Sequence, residues 1–412
     1  MHLLHLLMKK DSFKVYIYTC FFSELFFAFI FTVNLLYHVK IVKLDSLQLV
    51  LVGSVLELVV FLFEIPTGLV SDVKSRKLSV IIGYFLIGTG FLIEGSFPYF
   101  AAVILSQVAW GIGYTFTSGA HQAWIADEIG EERASLALVS GAKAGNFGKV
   151  IAIPLSILTG YFMISLPIII GGICMNALAI FLIFFMKEEN FQPAAKGEAS
   201  SRKIMQSNIK GIVHYTKASS LMRLLFLIAL IFGLYSEGFD RLWISHFMEE
   251  THLSSLTEGN LVAIMGGIQF VVVLFSFAAL YFISRSSLHQ QLRRIYVALF
   301  IGSFLIITSL IGFALSHHII GLLAFYIIIQ VSRSVMSPLE DIWLNKIIPD
   351  SSTRATFFSV KGQVDAIGQI SGGPVIGLIA SSYTIKTAIT ASAILLTPVL
   401  FLYILILKKF RG

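Results

Sequence analysis

The chain has 412 residues, of which 57% are hydrophobic and only 13% are charged, whereas soluble domains are about 45–50% apolar and about 25% charged. This composition excludes a water-soluble fold for most of the chain and predicts a protein embedded in a bilayer. The formal net charge of +7 does not indicate nucleic-acid binding, because the basic residues lie between apolar segments, and the two cysteines, Cys20 and Cys174, lack metal-ligand spacing.

Twelve apolar segments are long enough to cross a bilayer as helices, since about 20 residues span the hydrocarbon core. We number them segment 1 to segment 12, at residues 15–39, 46–70, 78–97, 99–125, 135–162, 165–186, 220–247, 258–283, 292–315, 318–345, 356–382 and 384–407. A long polar stretch divides them six and six. The sequence therefore predicts an all-α membrane protein with an N-terminal six-helix half (1–186), a linker (187–218) and a C-terminal six-helix half (219–412).

The basic residues are distributed unequally between the two faces that this topology creates. Both termini, the linker and the turn between segments 2 and 3 are rich in Lys and Arg, whereas the opposite face has only Lys40, Lys43 and Lys386. Loops rich in Lys and Arg stay in the cytoplasm. The sequence thus predicts a multi-pass protein of the cell (cytoplasmic) membrane with both termini and the linker cytoplasmic. The genuine start is expected at Met8, with residues 1–7 upstream of it, and no cleavable signal peptide is apparent.

The two predicted halves share a pattern of residues at an offset of 219 to 221 positions. Each half has a Ser and a Trp near the cytoplasmic end of its fourth segment, an Arg before its fifth, and a Gly and a Pro within its fifth. The matching pairs are Ser118 and Ser337, Trp124 and Trp343, Arg133 and Arg354, Gly148 and Gly368, and Pro154 and Pro374. Because the halves also share one orientation, the sequence predicts two parallel six-helix repeats.

A short basic turn joins segments 2 and 3, with the spacing Gly68-x-x-x-Asp72-x-x-x-Arg76-Lys77. This spacing resembles the signature loop between helices 2 and 3 of the major facilitator superfamily (MFS), a large group of secondary transporters. Ser75 stands where the family prefers Gly. The resemblance implies the twelve-helix MFS fold and alternating access by rocking of the two halves.

The resemblance also implies a conformational gate at this turn. Asp72 is expected to face the start of segment 11 near Arg354, and Arg76 is expected to reach Asp127 at the end of segment 4. The candidate gate residues are Gly68, Asp72, Arg76, Lys77, Asp127, Arg133 and Arg354.

Ionisable side chains inside the spans mark candidate coupling and substrate residues, because each is costly in hydrocarbon and is usually paired or functional. These candidates are Glu24, Glu57, Lys143, Lys149, Glu237, Asp240, Arg241, Arg333 and Asp365. Glu94 and Arg223 lie within about a turn of an interface, so we expect them to extend towards the headgroups and to be structural. Glu340 and Asp341 lie nearer the cytoplasm, where loop bases are the expected partners.

Glu24 has two open interpretations. The resemblance implies that this segment 1 acid couples protons and cations, as in multidrug members of the family; alternatively, Glu24 forms a permanent ion pair with Lys143 or Lys149. Proton-exchanging members often carry an Arg in segment 4 where this chain has Gln107. The coupling base is therefore supplied by Lys143, Lys149 or Arg333, or the protein is not a proton antiporter.

Segment 7 carries Glu237 and Asp240 at helical spacing, with Arg241 four positions after Glu237. This group is either part of a substrate wall or outer gate, or a self-contained salt bridge. Arg333 in segment 10 needs a carboxylate partner inside the membrane, and we expect it to contact Asp365 in segment 11 or Glu237.

Gly and Pro residues mark candidate helix-packing positions, because Gly allows close approach and Pro removes a backbone donor. They are Pro66, Gly148, Pro154, Gly368, Gly372, Gly373 and Pro374. In the family a Gly-Pro motif in segment 5 marks proton-driven exporters, but here the glycine-rich form lies in segment 11. Tight packing at a repeat interface is the alternative interpretation of these glycines.

Together these features predict a secondary transporter that most resembles bacterial multidrug and small-molecule efflux members, exporting a neutral or cationic, partly apolar compound in exchange for protons. The alternatives are a metabolite uptake symporter or uniporter and, in a different class, a non-transporting membrane sensor or a membrane-embedded enzyme. We expect no enzyme activity, no cofactor and no metal, because no nucleophile–base pair, nucleotide-binding loop or metal-spaced cluster is present in the sequence. The expected partners are a small-molecule substrate, protons and the lipid bilayer, and the expected state is a monomer.

Overall fold

The computed structural model describes residues 11–193, 216, 219–286, 291–348 and 354–409, the last range with side chains from residue 357. Every regular element in these residues is a helix, and twelve spans within them are long and apolar enough to cross a bilayer. The predicted all-α membrane architecture with twelve transmembrane segments is confirmed.

The segments keep their numbers, and their ends differ from the sequence-based ones by at most four residues. Segments 1 to 6 are Ser12–Lys40, Ser46–Val73, Arg76–Ser96, Phe100–Ile129, Glu131–Gly160 and Leu166–Phe185. Segments 7 to 12 are Ser220–Thr251, Glu258–Arg285, Leu292–Leu315, Ile319–Ile347, Arg354–Ser382 and Ile385–Lys409. A short 3-10 turn, Leu253–Ser255, follows segment 7.

Polar residues fix where several segments begin. The side chains of Asp11, Ser75, Ser219 and Thr384 each accept a hydrogen bond from the backbone N–H three residues later. Each cap satisfies a donor that the first turn of a helix leaves without an intrahelical partner. Ser75 therefore has a structural use at the position where the family prefers Gly, since it caps segment 3.

Segment 4 is interrupted near its end, whereas its repeat counterpart, segment 10, is continuous. Its helix stops at Thr117 and restarts at Ala120, and Gly119 between them has a φ of 73°. This left-handed conformation is strained for residues with a Cβ, so the break is placed at a glycine. At the corresponding position in segment 10, Pro338 lies inside an unbroken helix, so the two repeats differ locally here.

The first compact unit comprises Met1–Lys43, Val55–Gly197 and Leu256–Gln269. Segment 1 packs most extensively along segment 5, and segment 3 packs against segments 4 and 6. Ile30 and Trp124 are among its fully buried side chains.

The second unit comprises Leu44–Ser54, Glu198–Ser255 and Phe270–Gly412. Within it, segment 7 packs along segment 11, and segment 9 packs against segments 10 and 12. This is the packing of the first unit with six added to each segment number. The order of helix packing is thus the same in the two units, although Leu44–Ser54 of the first predicted half belongs to the second unit and Leu256–Gln269 of the second half belongs to the first.

Glycines allow close helix contacts in each unit. A Cβ added to Gly148 of segment 5 would meet the backbone carbonyl of Phe21 in segment 1, and one added to Gly368 of segment 11 would meet that of Leu230 in segment 7. One turn further along segment 11, Gly372 lies against the backbone of Leu234. Backbones approach this closely only where small residues line the contact.

We expect Gly372→Ala to destabilise the protein, because its methyl group would lie less than 3.0 Å from three backbone atoms of Leu234. Overpacking of this kind costs about 1–3 kcal/mol, so the midpoint of thermal unfolding in detergent should fall. The matched control is Gly267→Ala in segment 8, where a Cβ would meet nothing within 4 Å. Equal unfolding temperatures for the two variants would contradict this packing.

Candidate functional site

A cavity of about 470 Å³ lies within the second unit and is lined by segments 7, 10 and 11. It is unusual for a membrane interior because six charged side chains line it. The carboxylates are Asp240, Glu340, Asp341 and Asp365, and the cations are Arg333 and Lys361. Four acids against two bases leave the described lining with a formal charge of −2.

Arg333 forms the strongest ion pair of this cavity. Its Nη1 and Nη2 atoms donate to Oδ1 and Oδ2 of Asp240, at 2.5 and 2.8 Å, in the two-bond geometry that guanidinium and carboxylate groups favour. The expectation that Arg333 contacts Asp365 or Glu237 is wrong. Glu237 is already bound one turn along its own helix, where its Oε1 accepts from Nε of Arg241 at 2.8 Å.

Lys361 lies between two acids of segment 10. Its Nζ is 3.0 Å from Oε2 of Glu340 and 3.2 Å from Oδ1 of Asp341. The sequence predicted loop bases as partners of these acids. The structure shows a base from segment 11 instead, because Lys361 lines the same cavity. Asp365, one turn further on, accepts a hydrogen bond from Nε2 of Gln369 at 2.8 Å.

A second cavity, of about 580 Å³, lies in the first unit between segments 1, 3, 4 and 5. Nζ of Lys149 is 3.0 Å from Oε2 of Glu24, and these two side chains are the one amine and the one carboxylate among the described lining residues. Lys143 is exposed and does not line the cavity. The contact agrees with the ion-pair interpretation of Glu24; a role in proton coupling stays a prediction.

The remaining membrane candidates lie outside the two cavities. Glu57 of segment 2 is half-buried, in the first unit. Glu237 and Arg241 pair within segment 7. Their side chains lie where a Cβ of residue 53 would be, so this position has room for the pair only because it is Gly53. Among the packing candidates, Gly373 faces Glu237 and Ser54, and Pro66, Pro154 and Pro374 lie inside segments 2, 5 and 11.

The turn between segments 2 and 3 forms the ion pair that its spacing predicted. Nε of Arg76 donates to Oδ2 of Asp127 at 2.5 Å, and its Nη1 donates to Oδ1 of Asp72 at 3.3 Å. Lys77 donates from Nζ to the backbone carbonyl of Ile183 at 3.0 Å. Segments 2, 3, 4 and 6 are thus joined at one end of the first unit.

The other gate candidates are Arg133, Gly68 and Arg354. Arg133 is exposed, and a Cβ added to Gly68 would meet nothing within 4 Å. The side chain of Arg354 lies outside the described residues, and the expected proximity of Asp72 to Arg354 stays a prediction.

The first unit contains a buried polar cluster that we did not predict from the sequence. Glu94 of segment 3 is fully buried, and its carboxylate oxygens lie 2.5 Å from Nδ2 of Asn34, 2.7 Å from Nε2 of His38 and 3.3 Å from Nε2 of Gln107. Tyr37 also donates to the backbone carbonyl of Glu94, at 2.6 Å. The expectation that Glu94 extends to the headgroups is therefore wrong.

The signal for this cluster lay in two features of the sequence. Asn34 and His38 are four residues apart, and so share one face of segment 1. Gln107 stands where related transporters often carry a base. An aromatic layer one turn further along the same three segments, formed by Phe31, Phe91 and Trp110 with ring centroids 5.0–5.8 Å apart, separates the cluster from the Glu24 cavity.

Comparison with known proteins agrees with this architecture. The family model of the Major Facilitator Superfamily matches residues 17–319. An uncharacterized MFS-type transporter, YxaM of Bacillus subtilis (strain 168), is 25% identical over 378 residues and covers 88% of each chain.

Solved transporters share the fold at low identity. The nucleoside transporter NupG aligns with a TM-score of 0.72 at 15% identity, over 98% of this chain and 100% of that chain. A bacterial homolog of the human lysosomal transporter Spinster aligns with a TM-score of 0.76 at 14% identity, over 97% and 98%. With a family match over most of its length, twelve spans and the same repeat in both units, the chain belongs to the Major Facilitator Superfamily and is a multi-pass membrane transporter, not an enzyme.

Proposed function

We propose that the protein exports small neutral or cationic, partly apolar compounds in exchange for protons. The observation that carries this proposal is the acidic lining of the second-unit cavity, with four carboxylates against Arg333 and Lys361. A site of this charge in a low-dielectric wall attracts cations and repels anions. Carboxylates inside a membrane protein are also the groups that proton-driven transporters use.

The proposed working unit is a monomer in the cytoplasmic membrane, with both termini and the 187–218 linker in the cytoplasm. The six-helix halves, 1–186 and 219–412, would rock about the substrate. The positive-inside pattern supports this orientation, because segments 8 and 12 end in basic residues at the proposed cytoplasmic face.

Transport into proteoliposomes under an imposed pH gradient tests this proposal. For an exporter that exchanges protons, an acidic lumen should drive accumulation of a cationic or neutral compound from a chemical panel, and an alkaline lumen should not. Accumulation driven by an acidic exterior would indicate the uptake symporter instead. Accumulation that does not depend on the pH gradient would indicate a uniporter.

We expect Asp72→Asn to abolish most gradient-driven transport while leaving expression and thermal stability close to the wild type. Asp72 is half-exposed and its contact with Arg76 is long, so a surface ion pair of this kind contributes little to stability. Arg76 also keeps its shorter bond to Asp127. Wild-type transport by Asp72→Asn would remove the turn from the mechanism.

A further inference from the structure

We propose that Asp365 is the docking carboxylate for a protonated amine inside the second-unit cavity, with the hydroxyl of Tyr235 as a second polar contact. This proposal rests on the proposed export of cationic compounds and names the chemical class of the compound and the residue that receives it. It places the cation site in segment 11, rather than at the segment 1 acid Glu24 that the family resemblance suggested.

The ion pairs of the cavity leave one carboxylate for a ligand. Asp240 is bound by both terminal nitrogens of Arg333. Glu340 and Asp341 share Lys361. The carboxylate of Asp365 accepts a hydrogen bond from the neutral amide of Gln369, and no cation of the described residues lies within 4.0 Å of it.

The contacts of Lys361 explain why it does not pair with Asp365. Lys361 precedes Asp365 by four residues, so both lie on one face of segment 11. Its amine nevertheless contacts the two acids of segment 10. A Lys that precedes an acid by four residues is the less favourable order for a helical pair, and the acids across the cavity offer two carboxylates instead of one.

Tyr235 supplies an independent indication of a ligand. Its side chain is fully buried, lines the cavity, and has a hydroxyl without a hydrogen-bond partner among the described residues. Asp240, Arg333, Asp365 and Glu340 line the same cavity as Tyr235. A buried hydroxyl without a partner carries a desolvation penalty, so a bound group that pairs with it gains affinity.

The backbone holds Asp365 rigidly and leaves space beside it. The carbonyl of Asp365 lies directly against Gly233 of segment 7, where a Cβ would clash with it. One turn earlier on segment 11, Gly362 lines the cavity and a Cβ there would meet nothing within 4 Å. The carboxylate therefore comes from a fixed backbone, next to open volume.

The cavity matches a small organic ammonium with an apolar body. Its volume of about 470 Å³ lies in the range of about 300–1,000 Å³ typical of small-molecule sites. Phe232, Met336 and Phe358 provide apolar wall. An ammonium N–H group would donate to Asp365 and to the oxygen of Tyr235, while the aromatic faces favour a neighbouring positive charge.

Binding to the purified full-length protein in nanodiscs tests this site. The probes are a panel of primary amines, each paired with its neutral alcohol isostere, such as phenethylamine with 2-phenylethanol. We expect the wild type to be stabilised against thermal unfolding by members of the amine set and not by their alcohols. Asp365→Asn should weaken amine binding at least tenfold, and Asp365→Glu should restore part of it.

Gly362→Leu provides a second variant that does not remove a charge. It fills the space beside Asp365 without meeting other atoms at its Cβ, so it should fold normally and lose amine binding. The control is Glu258→Gln, an exposed acid in the first turn of segment 8, which should bind amines like the wild type.

Two results would overturn the assignment: no amine-selective stabilisation of the wild type, or unchanged amine affinity in Asp365→Asn or in a folded Gly362→Leu protein. The liposome assay separates this outcome from failure of the proposed function. Amine binding that depends on Asp365 without gradient-driven transport would refute proton-coupled export and keep the site. Gradient-driven transport by the wild type, together with unchanged amine binding in Asp365→Asn, would refute the site and keep proton-coupled export.

Discussion

Glu94→Ala is expected to destabilise the protein by at least about 3 kcal/mol, because three buried side chains lose their acceptor at about 1–3 kcal/mol each. The side chains of Glu94 and His38 are both 0% exposed. Without the carboxylate, His38, Asn34 and Gln107 lose their shared acceptor, and each buried donor left unpaired carries a desolvation penalty. The measurement is the shift in thermal unfolding of the purified protein.

The control for this prediction removes another paired glutamate carboxylate, one that is exposed instead of buried. Glu189 lies 2.8 Å from Nζ of Lys187, nearly the distance of the Glu94–His38 contact, but the two side chains are 67% and 36% exposed. An exposed pair contributes about 0.2–1 kcal/mol after solvent screening, so Glu189→Ala should unfold close to the wild type. If Glu94→Ala unfolds at the same temperature as Glu189→Ala, the buried cluster does not stabilise the first unit.

Glu94→Gln adds an intermediate case. The amide keeps one oxygen that accepts from Asn34 or His38, but its NH₂ group replaces the second acceptor with a donor. We expect an unfolding temperature between those of the wild type and Glu94→Ala, because one contact of the cluster survives. The order of the three unfolding temperatures thus shows how many of the donors around Glu94 need an acceptor.

The spans were predictable from the sequence because their signals are local. Length and hydropathy located segment 9 at residues 292–315, which are also its observed limits. The contact of Arg76 with Asp127 was predictable because the spacing of the turn resembles a family signature that carries this contact. In both cases the information lies in a short stretch of chain or in a pattern already associated with a geometry.

Contacts between distant segments were not predictable in the same way. The partner of Arg333 depends on the rotation of segment 10 towards segment 7, and residue spacing within one helix does not determine that rotation. The burial of Glu94 depends on three segments meeting at one depth, whereas the sequence shows only that Glu94 lies three residues before the predicted end of segment 3 at residue 97. A charged residue near a helix end is consistent with either a snorkelling side chain or a buried pair.

The linings of the two cavities also differ in net charge, which the order of residues along the chain does not reveal. In the first unit the charges of Glu24 and Lys149 cancel. In the second, the bases present do not neutralise the acids. Lys149 thus neutralises the segment 1 acid Glu24, whereas an acidic excess remains in the repeat that carries segments 10 and 11.

Removing either partner of the Arg333–Asp240 pair should destabilise the second unit, but unequally. Arg cannot lose its proton in a protein, so Asp240→Asn leaves a guanidinium that stays charged without its two-bond partner. In Arg333→Gln, by contrast, the isolated Asp240 can take up a proton. Charge-assisted hydrogen bonds contribute about 1.5–3 kcal/mol, and these side chains are 28% and 36% exposed to the cavity, which places the loss at the lower end.

We therefore expect unfolding temperatures to fall in the order wild type, Arg333→Gln/Asp240→Asn, Arg333→Gln and Asp240→Asn. The double variant should recover much of the loss, because neither Arg333 nor Asp240 is then left charged without the other, and a double-mutant cycle measures that coupling. The control cycle uses Lys14 and Asp11, which are 3.5 Å apart and 53% and 40% exposed, and for which we expect no measurable coupling. Additive losses at Arg333 and Asp240 would show that the two-bond contact does not hold segments 7 and 10 together.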